Sequence, residues 1–208
     1  MKENFGLYLI LTDPVSGYET CAKAAVESGV RYLQLRMKNT TPDMALETAI
    51  KLRNITHDSE TRFIVNDDLN IAIQSDADGI HLGQGDMGLA EARGTWNRSD
   101  KLFGLSTHDM EQAVQAQMLK PDLIGIGPVF PTRTKILADP ALGAKTTGRI
   151  AQEIPLTSVA IGGINADNLP SVLEAGSVNF CVVSAVNNSP NPLAAIQTLQ
   201  EIWKNHSF

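Results

Sequence analysis

The chain predicts a (β/α)8 TIM barrel, and three observations point to it. Short β-forming runs alternate with helix-like segments eight times, which makes the strands parallel and the crossovers right-handed. The length of 208 residues, 22.4 kDa, is only slightly short for such a barrel. It reads as one domain over residues 1–208, since no linker, charge block or low-complexity tract divides it. Polar residues gather at the ends of the strand-like runs, where barrels of this architecture carry their chemistry. An open doubly wound sheet shares the same periodicity and is the alternative architecture.

Taken in order, the first unit joins LYLILT (Leu7 to Thr12) to TCAKAAVESG, in which Ala22, Ala25 and Val26 are small or apolar and Gly29 stops the helix. In the second, YLQLR leads into PDMALETAIKLRNI. Pro42 suits a helix start there, and Met44, Ala45, Ala49, Leu52 and Ile55 approximate one apolar face. FIVN, GIHL, FGLS, LIGIG, VAIGG and FCVV supply the other six strands, with helical segments near Ala72, Leu89, Ala113, Ile150, Leu169 and Leu199. The ten prolines fall at predicted turns.

Composition excludes several classes of function. The N-terminal apolar run in MKENFGLYLILTD is too short for a secretory signal, and nothing approaches the ~20 apolar residues of a membrane span. A cytoplasmic protein with no membrane partner is expected. Cys21 and Cys181 are too few and too far apart for a zinc site or a disulfide framework, and read as buried, reduced thiols. A net charge of -6 argues against a nucleic-acid partner, which calls for a basic excess. It leaves room for an anionic small molecule, because cations can be focused in one cleft whatever the total.

Three strand ends carry the chemistry: Gln34 to Lys38, Asn66 to Asp68, and Pro131 to Lys135. Alternation along a strand puts Gln34, Arg36 and Lys38 on one face and Leu33, Leu35 and Met37 on the other. If the leucines pack on helices, the polar set faces the barrel axis. Two cations there are costly to desolvate without an anion, so a phosphate-rich ligand suits them; a structural network with neighbouring carboxylates is the plainer reading. Asp67 and Asp86 end adjacent strands and together suit Mg2+, which takes one or two protein carboxylates plus substrate phosphate. Asp68 can simply cap the helix LNIAIQ. His81 lies beside these carboxylates, and a hydrogen-bonded core histidine is favoured over a metal ligand.

AIGGIN and VVSAV stand at the seventh and eighth strand ends, where a phosphate site recurs in barrels; Gly162 and Gly163 can equally serve a tight turn. The sixth unit holds the longest irregular stretch, Gly127 to Lys145, read either as a mobile lid over phosphates or as an ordinary exposed loop. Thr132, Thr134 and Lys135 carry most of its functional weight. No GxSxG, HExxH or P-loop motif is present, and no cysteine lies beside a base, so a covalent protein nucleophile is poorly supported.

Together YLQLRMK, FIVNDD, ADGIHLGQGDM, GLSTH, IGIGPVFPTRTK, AIGGIN and VVSAV resemble the thiamine phosphate synthase family, in order and across nearly the whole chain. The resemblance implies a transferase that couples a pyrimidine diphosphate to a thiazole phosphate in thiamine biosynthesis. It implies that Gln34, Leu35, Arg36, Met37, Lys38, Asn66, Ser106 and Lys135 contact the pyrimidine diphosphate, with Arg36, Lys38, Ser106 and Lys135 as catalytic groups. Asp67 and Asp86 would hold Mg2+; Thr132, Arg133, Thr134, Gly163, Val183 and Ser184 would hold the thiazole phosphate. A homodimer or a monomer is expected. The rivals are a thiazole tautomerase-like relative, with no use for a diphosphate-gripping set, and a non-catalytic sensor of thiamine precursors.

Overall fold

In the computed structural model, residues 2–132 and 140–206 are described. Eight parallel strands run in sequence order around a ring: β1 (Leu7–Leu11), β2 (Tyr32–Leu35), β3 (Arg62–Asn66), β4 (Gly79–Leu82), β5 (Leu102–Thr107), β6 (Leu123–Ile126), β7 (Ser158–Ile161) and β8 (Phe180–Val182). Pairing of Leu7, Tyr8 and Leu9 with Phe180, Cys181 and Val182 closes the ring and rules out the open sheet. The crossovers are α1 (Tyr18–Glu27), α2 (Pro42–Thr56), α3 (Leu69–Gln74), α4 (Leu89–Thr95), α5 (Met110–Leu119), α6 (Ala144–Glu153) and α7 (Leu169–Glu174). After β8 come a one-turn α8 (Ser184–Asn187), which the sequence pattern did not predict, and α9 (Pro192–Lys204).

The period of two along each strand divides the core into two layers. Leu7, Leu9, Leu11, Leu33, Leu35, Phe63, Val65, Ile80 and Leu82 face outward into the helices. Tyr8, Ile10, Tyr32, Ile64, Leu123, Val159 and Cys181 face the bore. The Tyr8 and Tyr32 rings stack at 5.5 Å, Phe5 meets Tyr32 edge-on at 4.7 Å, and Tyr32 donates its hydroxyl hydrogen to Glu3 at 2.8 Å. These rings fill the N-terminal end of the bore.

The N-terminal rim is pinned by side chains that precede strands. Asp78, before β4, accepts the Phe63 N–H at 2.8 Å, and Asp122, before β6, accepts that of Phe103 at 2.7 Å. Asn179, before β8, accepts from Phe5 and Gly6 at 2.8 and 3.0 Å. Each satisfies backbone donors where a strand begins.

Helix starts follow the expected chemistry. Thr41, Asp68, Asp109 and Asn191 cap their helices by accepting from the backbone three residues on. Asp68 is thus the cap of α3. One expectation is corrected: Met44 is 58% exposed, whereas Ala45, Ala49, Leu52 and Thr56 form the buried row of α2. Met44 stands one residue, about 100°, off that row. Among the described residues no helix is long and apolar enough to cross a membrane. Cys21 and Cys181 are both buried and free.

Candidate active site

Above the tyrosine plug a cavity of about 570 Å3 opens at the C-terminal ends of the strands. β2 ends at Leu35, and the Arg36 N–H still bonds Leu11 O at 2.9 Å, so the extended geometry and its alternation continue past the strand. Gln34, Arg36 and Lys38 therefore all line the cavity. Gln34 donates to the Tyr8 hydroxyl at 2.9 Å, and Lys38 pairs with Asp67. Arg36 has no ion-pair or hydrogen-bond partner for its guanidinium among the described residues. Leu35 and Met37 turn the other way, toward a second space of about 340 Å3 outside the ring, leaving their main chain beside the bore.

Asn66 ends β3 inside the cavity, and Asp67 follows in a left-handed conformation, φ 63°. Its N–H is held by His81 O at 2.9 Å. That turn brings its carboxyl within hydrogen-bonding reach of Asp86. Burial and then the Asp86 carboxyl raise Asp67 above the usual aspartate range, while Lys38 pulls it back. Asp86 closes the Gly83–Asp86 loop by accepting the Gly83 N–H at 2.7 Å. No group of three or more His, Cys, Asp or Glu among the described residues could hold a metal, so the site offers a carboxylate pair. Two acidic groups this close repel each other unless a proton or a cation lies between them. That donor set fits Mg2+, which prefers few protein oxygens and fills its remaining positions with water and phosphate.

Ser106 faces the bore from β5, with its hydroxyl 3.0 Å from His81 Nε2 and its carbonyl accepting from Gln84 at 2.6 Å. Burial pushes His81 down to about 4, so its ring is neutral. Thr132, Gly163, Val183 and Ser184 line the opposite side. Gly162 and Gly163 have φ of 108° and 66°, and a Cβ on either would run into Pro128 or Phe130. Both the turn and the close approach require glycine. Arg133, Thr134 and Lys135, and with them the middle of the long sixth-unit stretch, lie outside the described residues.

Sequence reasoning passed over Tyr8, Gln84, His108 and Gln112, which also line the cavity. Alternation in LYLILT already separates Tyr8 and Ile10 from Leu7, Leu9 and Leu11, so Tyr8 was readable. His108 was not: its place follows from hydrogen bonding of Nδ1 to Gly127 O at 2.8 Å across to β6.

A family model described as thiamine monophosphate synthase matches residues 7–186, from the first strand into α8. The chain belongs to the thiamine monophosphate synthase family. Its relatives include the thiamine-phosphate synthase of Desulfitobacterium hafniense (strain Y51), 35% identical over 208 residues, covering 99% of this chain and 100% of that one. The thiamine-phosphate synthase of Methanocella arvoryzae is 36% identical over 201 residues, 95% and 94% of the two chains. Among solved structures, thiamine phosphate pyrophosphorylase from Pyrococcus furiosus superposes with a TM-score of 0.87 at 30% identity, covering 97% of this chain and 96% of that one. The family assignment makes the chain a transferase of thiamine biosynthesis. It also agrees with the family resemblance carried by the strand-end motifs.

Proposed function

We propose that the barrel couples 4-amino-2-methyl-5-(diphosphooxymethyl)pyrimidine to 4-methyl-5-(2-phosphooxyethyl)thiazole, giving thiamine phosphate and diphosphate. One observation carries the reading: Arg36, Lys38, Asp67, Asp86 and Ser106, from four different strand ends, line a single cavity in a barrel of this family. A tautomerase-like enzyme has no use for a diphosphate-gripping set.

The chemistry asks little covalent work of the protein. The bond between the pyrimidine methylene and the diphosphate oxygen breaks, and its electron pair leaves with diphosphate. The electron-rich aminopyrimidine spreads the positive charge left on the methylene. The thiazole nitrogen lone pair then forms the new C–N bond, and no general base is called for. Catalysis reduces to positioning and to neutralising the departing charge.

Arg36, Lys38 and Lys135 are the cations for that charge, and Ser106 donates a hydrogen bond to it. Gln34 and Asn66, with the main chain of Leu35 and Met37, fix the pyrimidine end; the apolar floor of Ile10, Leu123 and Val159 receives its ring. Thr132, Arg133, Thr134, Gly163, Val183 and Ser184 hold the thiazole phosphate. Asp67 and Asp86 would hold Mg2+, which would supply further positive charge to the departing diphosphate. Lys38, paired with Asp67, stands beside that carboxylate pair as a cation for the diphosphate.

Mixing the purified protein with both substrates, with Mg2+ or with a chelator, tests the reading. Equal amounts of thiamine phosphate and diphosphate are expected with Mg2+, and neither with chelator. Isomerisation of a thiazole tautomer without coupling would favour the tautomerase, and tight binding without turnover would favour the sensor.

A further inference from the structure

Two neighbouring strands leave room for one imidazole. His81 faces the bore from β4 opposite Gly104 of β5, and Ser106 pairs with Gly125 of β6. A Cβ at position 104 would overlap His81 Nδ1, and one at 125 would touch the ring at 3.6 Å. Neither glycine has a positive φ, so backbone conformation calls for neither. The space they vacate is what the ring occupies.

A neutral imidazole has one N–H and one bare nitrogen, and which is which is set by the partners. Nε2 lies 3.0 Å from Ser106 Oγ, while Nδ1 is buried with no hydrogen-bond partner. An N–H buried without an acceptor is rarer than an acceptor buried without a donor, so the proton belongs on Nε2. Nε2–H then donates to Ser106 Oγ. The serine's own hydrogen is turned away from the ring, toward the cavity that both residues line.

We propose that His81 is a positioning residue whose Nε2–H commits the Ser106 hydroxyl to donate toward an anionic ligand oxygen. In the other tautomer the hydroxyl would give its hydrogen to the ring and show the ligand only lone pairs, which repel a phosphate oxygen. The inference rests on the diphosphate role proposed above for Ser106 and adds the reason that this serine acts as a donor. No proton changes owner.

Nitrogen NMR on protein with isotope-labelled histidine, free and with inorganic diphosphate plus Mg2+, reads the tautomer directly. The expected result is protonated Nε2 and bare Nδ1 in both samples; a protonated Nδ1 overturns the proposal. Calorimetry with inorganic diphosphate and Mg2+ is the second arm. Ser106→Ala is expected to weaken binding about tenfold, the scale of one hydrogen bond to a charged group. Unchanged binding would remove Ser106 from the diphosphate site and the proposal with it. His81→Leu should weaken binding to a similar extent, and should add nothing in the Ser106→Ala background. His81→Gln, which carries an N–H at similar reach, should restore it. Additive losses, or a Gln variant as weak as the Leu variant, overturn the proposal while leaving Ser106 in the site. If the Leu variant does not fold, the tautomer measurement on the native protein still decides.

Discussion

Asp67 holds a backbone conformation that costs a side-chain-bearing residue roughly 1 kcal/mol and that Asp and Asn resist least. It also faces the carboxyl of Asp86. Asp67→Asn keeps the shape and the conformational tolerance while removing the charge. Coupling is expected to fall at least ~100-fold, a loss of roughly 3 kcal/mol in transition-state stabilisation. The melting temperature should hold or rise, because repulsion with Asp86 is relieved. Steady-state kinetics beside thermal melts check this, and a parallel fall of both would mark the carboxylate as structural. His81 predicts a pH effect on stability. Its folded value of about 4 lies below the ordinary 6.5, so its contribution is complete above about 6.5 and is lost as the unfolded chain takes up a proton between 6.5 and 4. The loss amounts to about 3 kcal/mol across that window. Urea unfolding through the window should show a flatter pH dependence for His81→Gln. The carboxylates were legible because charge at a strand end is conspicuous in any sequence. The lodging of His81 was not, since Ser106 lies 25 residues away and the glycines that make room look like ordinary strand glycines.

At the level of elements, the two rims of the barrel separate their tasks. Asp78, Asp122 and Asn179 fasten strand beginnings to one another, whereas the residues after the strands converge on the cavity. Asp122→Ala leaves the Phe103 N–H without its carboxylate and should cost about 1–2 kcal/mol of stability. KM and kcat should not change, because the residue sits at the far rim. Urea unfolding and steady-state kinetics on one preparation test both halves of that statement. Strand positions and inward faces were readable because a period of two leaves a strong trace, as in Gln34, Arg36 and Lys38 against Leu33, Leu35 and Met37. Helix faces were less so: Met44 joined the apolar row by composition, yet lies exposed, because one residue along a helix is more than a quarter-turn of direction. The short α8 escaped notice because four residues are too few to establish any helical period.

For the whole molecule, a net charge of -6 coexists with a cavity into which Arg36 and Lys38 project. Low-dielectric walls let such a cleft keep its own field. A ligand bound only by the folded barrel should protect it: inorganic diphosphate with Mg2+ at 100 times its Kd should add about 2.7 kcal/mol of stability. Calorimetric melts should show a smaller gain with either component alone, and equal gains would disconnect the carboxylate pair from the anion. The ring runs in strict sequence order, which has a consequence for how the reactants meet. With the proposed assignments, Gln34 to Ser106 form an arc from β2 to β5 that grips the pyrimidine partner. Thr132, Gly163, Val183 and Ser184 line the facing side, after β6, β7 and β8, for the thiazole phosphate, while Lys135 of the sixth unit is assigned to the diphosphate. On these assignments the thiazole phosphate is held from one side alone, whereas the pyrimidine diphosphate draws on both through Lys135. A substitution that spreads the seams between the two sides would therefore leave the thiazole affinity intact, loosen the diphosphate and slow turnover, through a wider gap between nitrogen and methylene.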